Sequence, residues 1–210
     1  PLHQRWRGHI MNDKVIVVDC DGVLLNWEYA FDCWMNELGL YKLPGTENEY
    51  HIGSRYGITT DKGRALVKEF NASAAIGFLP ALRDATYYVK LLHEKHGYVF
   101  DVVTSLSKSK YAVFRNIKCL PTGANKDGYL KKHYEDTNYF WVEDKLENAN
   151  DGLAVGMRPL LMEHAFNMNE NVVYPIVKNW ESIYDIVTSP IRDVYMPLVE
   201  LAIKRHGEAA

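Results

Sequence analysis

The segment Val15-Ile16-Val17-Val18-Asp19-Cys20-Asp21-Gly22 constrains this chain more than any other. Four consecutive β-branched apolar residues leave no polar face, which is the pattern of a strand buried on both sides in a parallel sheet. The run stops at two aspartates two residues apart. Alternation along an extended backbone points Asp19 and Asp21 the same way, into one small volume. Like charges so close are costly unless a cation or a shared proton relieves them. Gly22 then lets the chain turn sharply away. Open α/β sheets bind ligands at the carboxyl ends of their strands, where this pair would lie. A pair of surface loop aspartates beside a turn glycine is the plainer alternative, so position and companions decide.

Similar apolar runs recur at Val99–Val103, Tyr139–Val142 and Pro159–Met162, with a weaker one near Ile117–Leu120. Helical periodicity lies between them, at Leu82–Lys95, Lys126–Tyr134 and Leu146–Val155, the last stopped by Gly156 as C-cap. Alternating strands and helices of this length predict an α/β fold, a Rossmann-like parallel sheet in three layers (α/β/α). The stretch 26–79 breaks the rhythm, with no strand signal. Trp27, Phe31, Trp34 and Leu38 fall at helical spacing, and Thr60–Phe70 offers a second helix after a Gly-, Asn- and Tyr-rich segment. This stretch reads as a small helical cap over the sheet's carboxyl edge. The expected organisation is a core of 13–25 and 80–190, a cap of 26–79, and a C-terminal helix in 191–210. Trp180–Val187 and Ile191–Arg205 read as helices, and the latter can pack on the body or on a partner, including a second copy in a homodimer.

The formal net charge of −3 gives no reason to expect a nucleic-acid polymer or a membrane as partner. No apolar run is long enough to span a bilayer. Three cysteines without CxxC spacing argue against a disulfide framework or a zinc site and suit a reducing, cytoplasmic setting. The polar first residues do not read as a signal peptide, and Met11 suggests that Pro1–Ile10 precede the native start.

Further residues join the aspartate pair. Thr104-Ser105 end the run at Val99–Val103, where they could equally serve as a helix N-cap. Lys126 opens a helix, with Lys131 as fallback. Glu143-Asp144 end the run at Tyr139–Val142, where carboxylates also favour the next helix N-terminus. Together, in this order, they resemble the motifs of the haloacid dehalogenase superfamily of phosphohydrolases. Asp19-Cys20-Asp21-Gly22-Val23 fits the first motif, Thr104-Ser105 the second, Lys126 the third and Glu143-Asp144 the fourth. The resemblance spans about Val15 to Asn167.

It implies a phosphomonoester hydrolase with Asp19 as nucleophile and Asp21 as acid and base. Mg²⁺ would be held by Asp19, the carbonyl of Asp21 and Asp144, offsetting the repulsion between a carboxylate and a phosphate dianion. Thr104, Ser105 and Lys126 would hold phosphate oxygens. Glu143 and Asn148 would orient the metal's waters. Dehalogenating members lack the second acid, so Asp21 favours phosphoryl transfer.

Within the superfamily, DGVLLNWE, FLPALRDA, the Thr-Ser pair and LLMEHAFN look most like the 5′(3′)-deoxyribonucleotidase branch. There Trp27 would stack on a nucleobase and the substrate would be a nucleoside monophosphate. That branch carries Asp-Asp where this chain has Glu143-Asp144, the form of other capped phosphatases. The alternatives are a phosphatase for a sugar phosphate or phosphoglycolate, and a non-catalytic binding protein on this fold. Trp27 has an equally good role anchoring the cap with Phe31 and Trp34.

Overall fold

The apolar run Val15–Val18 forms β1, an interior strand of a six-stranded sheet. The computed structural model describes residues 14–105, 114–121 and 124–208; the expected leader 1–10 lies outside them. The other strands are β2 (Val99–Thr104), β3 (Phe114–Cys119), β4 (Phe140–Glu143), β5 (Arg158–Met162) and β6 (Ile176–Val177). Their order is β3-β2-β1-β4-β5-β6, and every neighbouring pair is parallel. The chain works outward from β1 to β3, then returns to the other side of β1. Such a switch point opens a crevice at the carboxyl ends, here between β1 and β4.

Alternation along β1 sorts its side chains into two cores. Ile16 and Val18 join Phe100, Val102, Phe140 and Val142 on one face, under α4 (Ala85–His96), α7 (Trp180–Thr188) and α8 (Ile191–Glu208). Val15 and Val17 join Val103 and Trp141 on the other, under Leu130 and Tyr134 of α5 (Asp127–Tyr134). The sheet is therefore the middle of three layers, as the unbroken apolar run predicts. The α6 helix (Leu146–Ala154) lies along β4 and β5.

Several bounds differ from the expected ones for local reasons. The α4 helix begins at Ala85, not Leu82, because Arg83 adopts a left-handed φ of 45° and the Leu82 amide bonds the Leu24 carbonyl at 2.8 Å. β3 lies at the sheet's edge, its side chains exposed or half-buried, which explains its weak apolar signal. Val155 is the C-cap of α6, and Gly156 follows it at φ 82°. Tyr195 and Val199 bind α8 to the body, while Leu198, Leu201 and Ile203 face outward.

The chain leaves the body at Leu25 and returns at Ala81, where the two segments pair in an antiparallel bridge. Between them lie α1 (Trp27–Glu37), α2 (Ile52–Tyr56), α3 (Thr60–Ala72) and a 3-10 turn at Ala74–Phe78. Asn26 caps α1 and Thr59 caps α3 by accepting backbone amides. Phe31, Met35, Tyr56 and Phe70 form a small separate core with half-buried Trp27 and Trp34 around it. No described helix is long and apolar enough to cross a membrane.

Candidate active site

Asp19 follows β1 directly, and its amide donates to the Val142 carbonyl of β4 at 2.9 Å. Thr104 ends β2, and half-buried Ser105 follows it. Glu143 ends β4, and Asp144 is next. The parallel register aligns Val18 with Val102 and Val142, so these residues share the carboxyl edge. Lys126, at the N-cap of α5, reaches the same point from another layer. Its ammonium lies 2.8 Å from Asp19 Oδ2 and 2.7 Å from Glu143 Oε2, with the Trp141 ring 5.2 Å away. Lys126 is 2% exposed and Glu143 fully buried. An ammonium so deep makes sense only where carboxylates compensate it.

Burial opposes charge on Lys126, but Asp19 and Glu143 outweigh it and hold the ammonium protonated. The carboxylates lack an equal compensation. Four of them (Asp19, Asp21, Glu143 and Asp144) crowd this edge around Lys126. Burial and the neighbouring Glu143 push Asp19 up to about 6. Burial and Asp19 push Asp144 up to about 6 as well. Asp21 is raised well above the ordinary range by burial, Asp19 and Asp144, and its buried Oδ1 has no hydrogen-bond partner.

Such a site calls for a cation. One oxygen each from Asp19, Glu143 and Asp144 lie within 4.8 Å of one another, which suits a single divalent ion with hard oxygen ligands. Both Glu143 oxygens are already engaged, Oε2 by Lys126 and Oε1 by the amides of Asp144 and Lys145 at 3.1 Å each. Asp19 is engaged in the same way, Oδ2 by Lys126 and Oδ1 by the Cys20 amide at 2.7 Å, so an ion would draw on the second lone pairs of these oxygens and on Asp144. The donor set therefore fits Mg²⁺.

Gly22 is required here twice over. Its φ is +70°, and a Cβ built on it would stand 2.3 Å from Asp144 Oδ2 and 3.2 Å from His164 Nε2. The glycine thus lets the first acid loop pass against the second.

Two expected residues take different surroundings. The Trp27 ring stacks on Phe31 (centroids 4.7 Å, 11° between planes), meets Phe70 edge-on, and its indole N–H donates to Asn71 Oδ1 at 2.8 Å. Asn148 bonds through its backbone carbonyl to the Trp141 indole at 2.9 Å. Other contacts have no local signature in the sequence. Tyr50, in the segment between α1 and α2, lies under the Lys145 ammonium at 4.9 Å and against Phe166 at 5.1 Å. His164 and Asn167 bond the two acid loops. Their one signal was membership of LLMEHAFN, which does not reveal partners far along the chain.

No family model matches this sequence, and no curated protein matches it either. Solved structures do resemble its fold. CbbY of Rhodobacter sphaeroides, in complex with phosphate, is 16% identical with a TM-score of 0.53, covering 80% of this chain and 94% of its own. A predicted phosphoglycolate phosphatase of Haemophilus somnus is 13% identical with a TM-score of 0.53, covering 85% and 100%. YfnB of Bacillus subtilis, assigned to the HAD hydrolases and bound to magnesium, is 16% identical with a TM-score of 0.52, covering 84% and 99%. The fold is thus the one shared by haloacid dehalogenase-like hydrolases. At these identities, the likeness establishes architecture, and the chemistry has to be argued from this chain's residues.

Proposed function

We propose that this chain is a magnesium-dependent phosphomonoesterase of the haloacid dehalogenase type, acting on a small phosphorylated metabolite through an aspartyl phosphate on Asp19. The observation that carries the reading is the buried Asp19–Lys126–Glu143 array beside Asp21, whose buried Oδ1 has no hydrogen-bond partner, at the strand ends of this fold. Nothing in packing requires this array, and burying it unsatisfied is unfavourable. Asp19 and Asp144, with the Asp21 carbonyl, would hold Mg²⁺, which when bound supplies charge neutralisation for a phosphate dianion.

The chain's own residues account for the remaining steps. Lys126 fixes the Asp19 carboxylate and offers an ammonium to the phosphoryl oxygens. Thr104 and Ser105 stand at the adjacent strand end to hold the same group. A carboxylate oxygen of Asp19 attacks phosphorus and displaces the alkoxide leaving group. Asp21, whose carboxyl is raised well above the ordinary range by burial, Asp19 and Asp144, gives its proton to that oxygen. As a carboxylate it then accepts a proton from the water that hydrolyses the aspartyl phosphate, which returns Asp19 and releases phosphate.

Small metabolites are favoured over nucleoside monophosphates for two reasons. Trp27 is already engaged by its own surroundings, with Phe31 on one face, Phe70 edge-on and Asn71 on its N–H. Among proteins of this fold, CbbY is also known in complex with xylulose-1,5-bisphosphate. Free Cys20, Cys33 and Cys119 fit a reducing, cytoplasmic setting. The test is phosphate release with Mg²⁺ from sugar phosphates, phosphoglycolate and nucleoside monophosphates. The highest kcat/KM should fall on one of the first two. A nucleotide preference would overturn the substrate class, and release from none would overturn the enzyme.

A further inference from the structure

The loop His164-Ala165-Phe166-Asn167 takes no part in the steps above, yet three of its side chains grip three different parts of the site. Asn167, 2% exposed, donates from Nδ2 to the Asp144 carbonyl at 2.7 Å and to the Met162 carbonyl at 2.8 Å, and its Oδ1 accepts the His164 amide at 2.8 Å. Glu143 already holds the Asp144 amide, so the Asp144 backbone is clamped from both sides. His164 Nε2 bonds the Gly22 carbonyl at 2.7 Å. A carbonyl only accepts, so this nitrogen carries the hydrogen. Phe166 lies parallel to the His164 ring, 5.3 Å away at 6°, and takes Tyr50 of the cap on its edge at 5.1 Å.

We propose that this loop is a brace, in which His164 and Asn167 are positioning residues that set the two acid-bearing loops against each other while Phe166 ties that setting to the cap through Tyr50. The proposal rests on reading Asp19, Asp21 and Asp144 as a metal site. Its logic is geometric. Gly22 and Asp144 pass so closely that a single methyl would not fit between them, so their separation must be held from outside. Asn167 fixes one side and His164 the other, from positions three residues apart on one loop. Partners that orient metal ligands typically account for 10- to 100-fold in metal affinity.

Calorimetric titration of the chelated protein with Mg²⁺ alone tests this without relying on turnover. Asn167→Asp keeps the shape and loses both donors, and His164→Phe keeps a ring and loses the N–H. Each should weaken Mg²⁺ binding by about 10- to 100-fold. His164→Gln, which can present an N–H near the Nε2 position, should bind close to wild type, a rescue that a mere packing role would not give. Hydrogen exchange supplies the cap arm. Mg²⁺ should slow exchange at residues 49–52 in the wild type and not in Phe166→Ala, since coupling between sites is reciprocal. Wild-type affinity in Asn167→Asp and His164→Phe, with cooperative melting, overturns the brace alone. Unchanged exchange at 49–52 in the wild type overturns its link to the cap. Absence of Mg²⁺ binding in the wild type overturns the metal reading and the brace together.

Discussion

Phe31 in α1 and Asp19 at the sheet's edge are both nearly out of water, but their surroundings differ in kind. Around Phe31, the rings of Trp27, Trp34, Tyr56 and Phe70 pack within 6.2 Å, and the nearby charges are matched. Arg55 pairs with Glu28 at 2.9 Å, and Lys42 with Glu28 and Asp32. Around Asp19, buried Lys126 and the more distant Lys145 face four carboxylates, and Asp21 keeps an oxygen without a partner. The small core around Phe31 is arranged for stability, whereas the sheet's edge is arranged for charge that a ligand would complete. Departures from local satisfaction of this sort concentrate at functional sites. Substitutions in the two regions should therefore move stability and activity in opposite ways.

Asp21→Asn sharpens the contrast most. Phosphatase activity should fall by about 10²- to 10⁴-fold, the range in which a positioned acid–base group contributes. The melting temperature of the chelated protein should rise, because a carboxyl opposed by burial, Asp19 and Asp144 has gone. A lower melting temperature would break the comparison. Gly22→Ala should cost about 10²-fold or more in activity by displacing the Asp144 carboxylate, on the scale of a 1 Å misplacement. Mg²⁺ affinity should fall with it. Phe31→Ala should do the reverse, destabilising by about 3–5 kcal/mol in denaturant titration while Mg²⁺ affinity stays near wild type.

Legibility in the sequence follows the same division. β1 could be read because four branched apolar residues allow little else, and the acids could be read because each stands beside a strand or helix end. Helix α2 has five residues inside a loop-like segment, and β6 has two, so neither shows a period. The His164–Gly22 bond spans 142 positions and the Asn167–Asp144 bond 23, so no local pattern encodes either one. Trp27 stood at a spacing that suited both base stacking and packing, and no spacing could show its stack on Phe31.

Acidity gives a smaller effect of predictable sign. Asp19 and Asp144 sit near 6 in the folded, metal-free protein, against an ordinary carboxylate value of about 4. Groups raised on folding stabilise below their unfolded value, and that stability is lost as pH rises through the folded one. Chelated protein should therefore melt lower as pH rises from about 4 to about 6 on account of these two groups. Saturating Mg²⁺ should remove that trend by favouring the ionised carboxylates. An unchanged slope with Mg²⁺ would show that the ion binds elsewhere. Smallest of all, Trp27→Phe should cost about 1 kcal/mol through the lost bond to Asn71. It should leave the ratio of kcat/KM between sugar phosphates and nucleotides unchanged, whereas a selective loss on nucleotides would assign the ring to substrate.

The proposed chemistry turns on Asp19 as a covalent nucleophile. Asn is nearly isosteric with Asp but cannot form the acyl phosphate, so the decisive measurement is phosphate release by Asp19→Asn on the best substrate at saturating Mg²⁺, with its melting curve taken alongside. The rate should fall by more than about 10⁴-fold, the scale on which removing a covalent nucleophile acts, while the protein still melts cooperatively. Retention of more than a few per cent of wild-type activity, with mass spectrometry excluding deamidation back to aspartate, would contradict it.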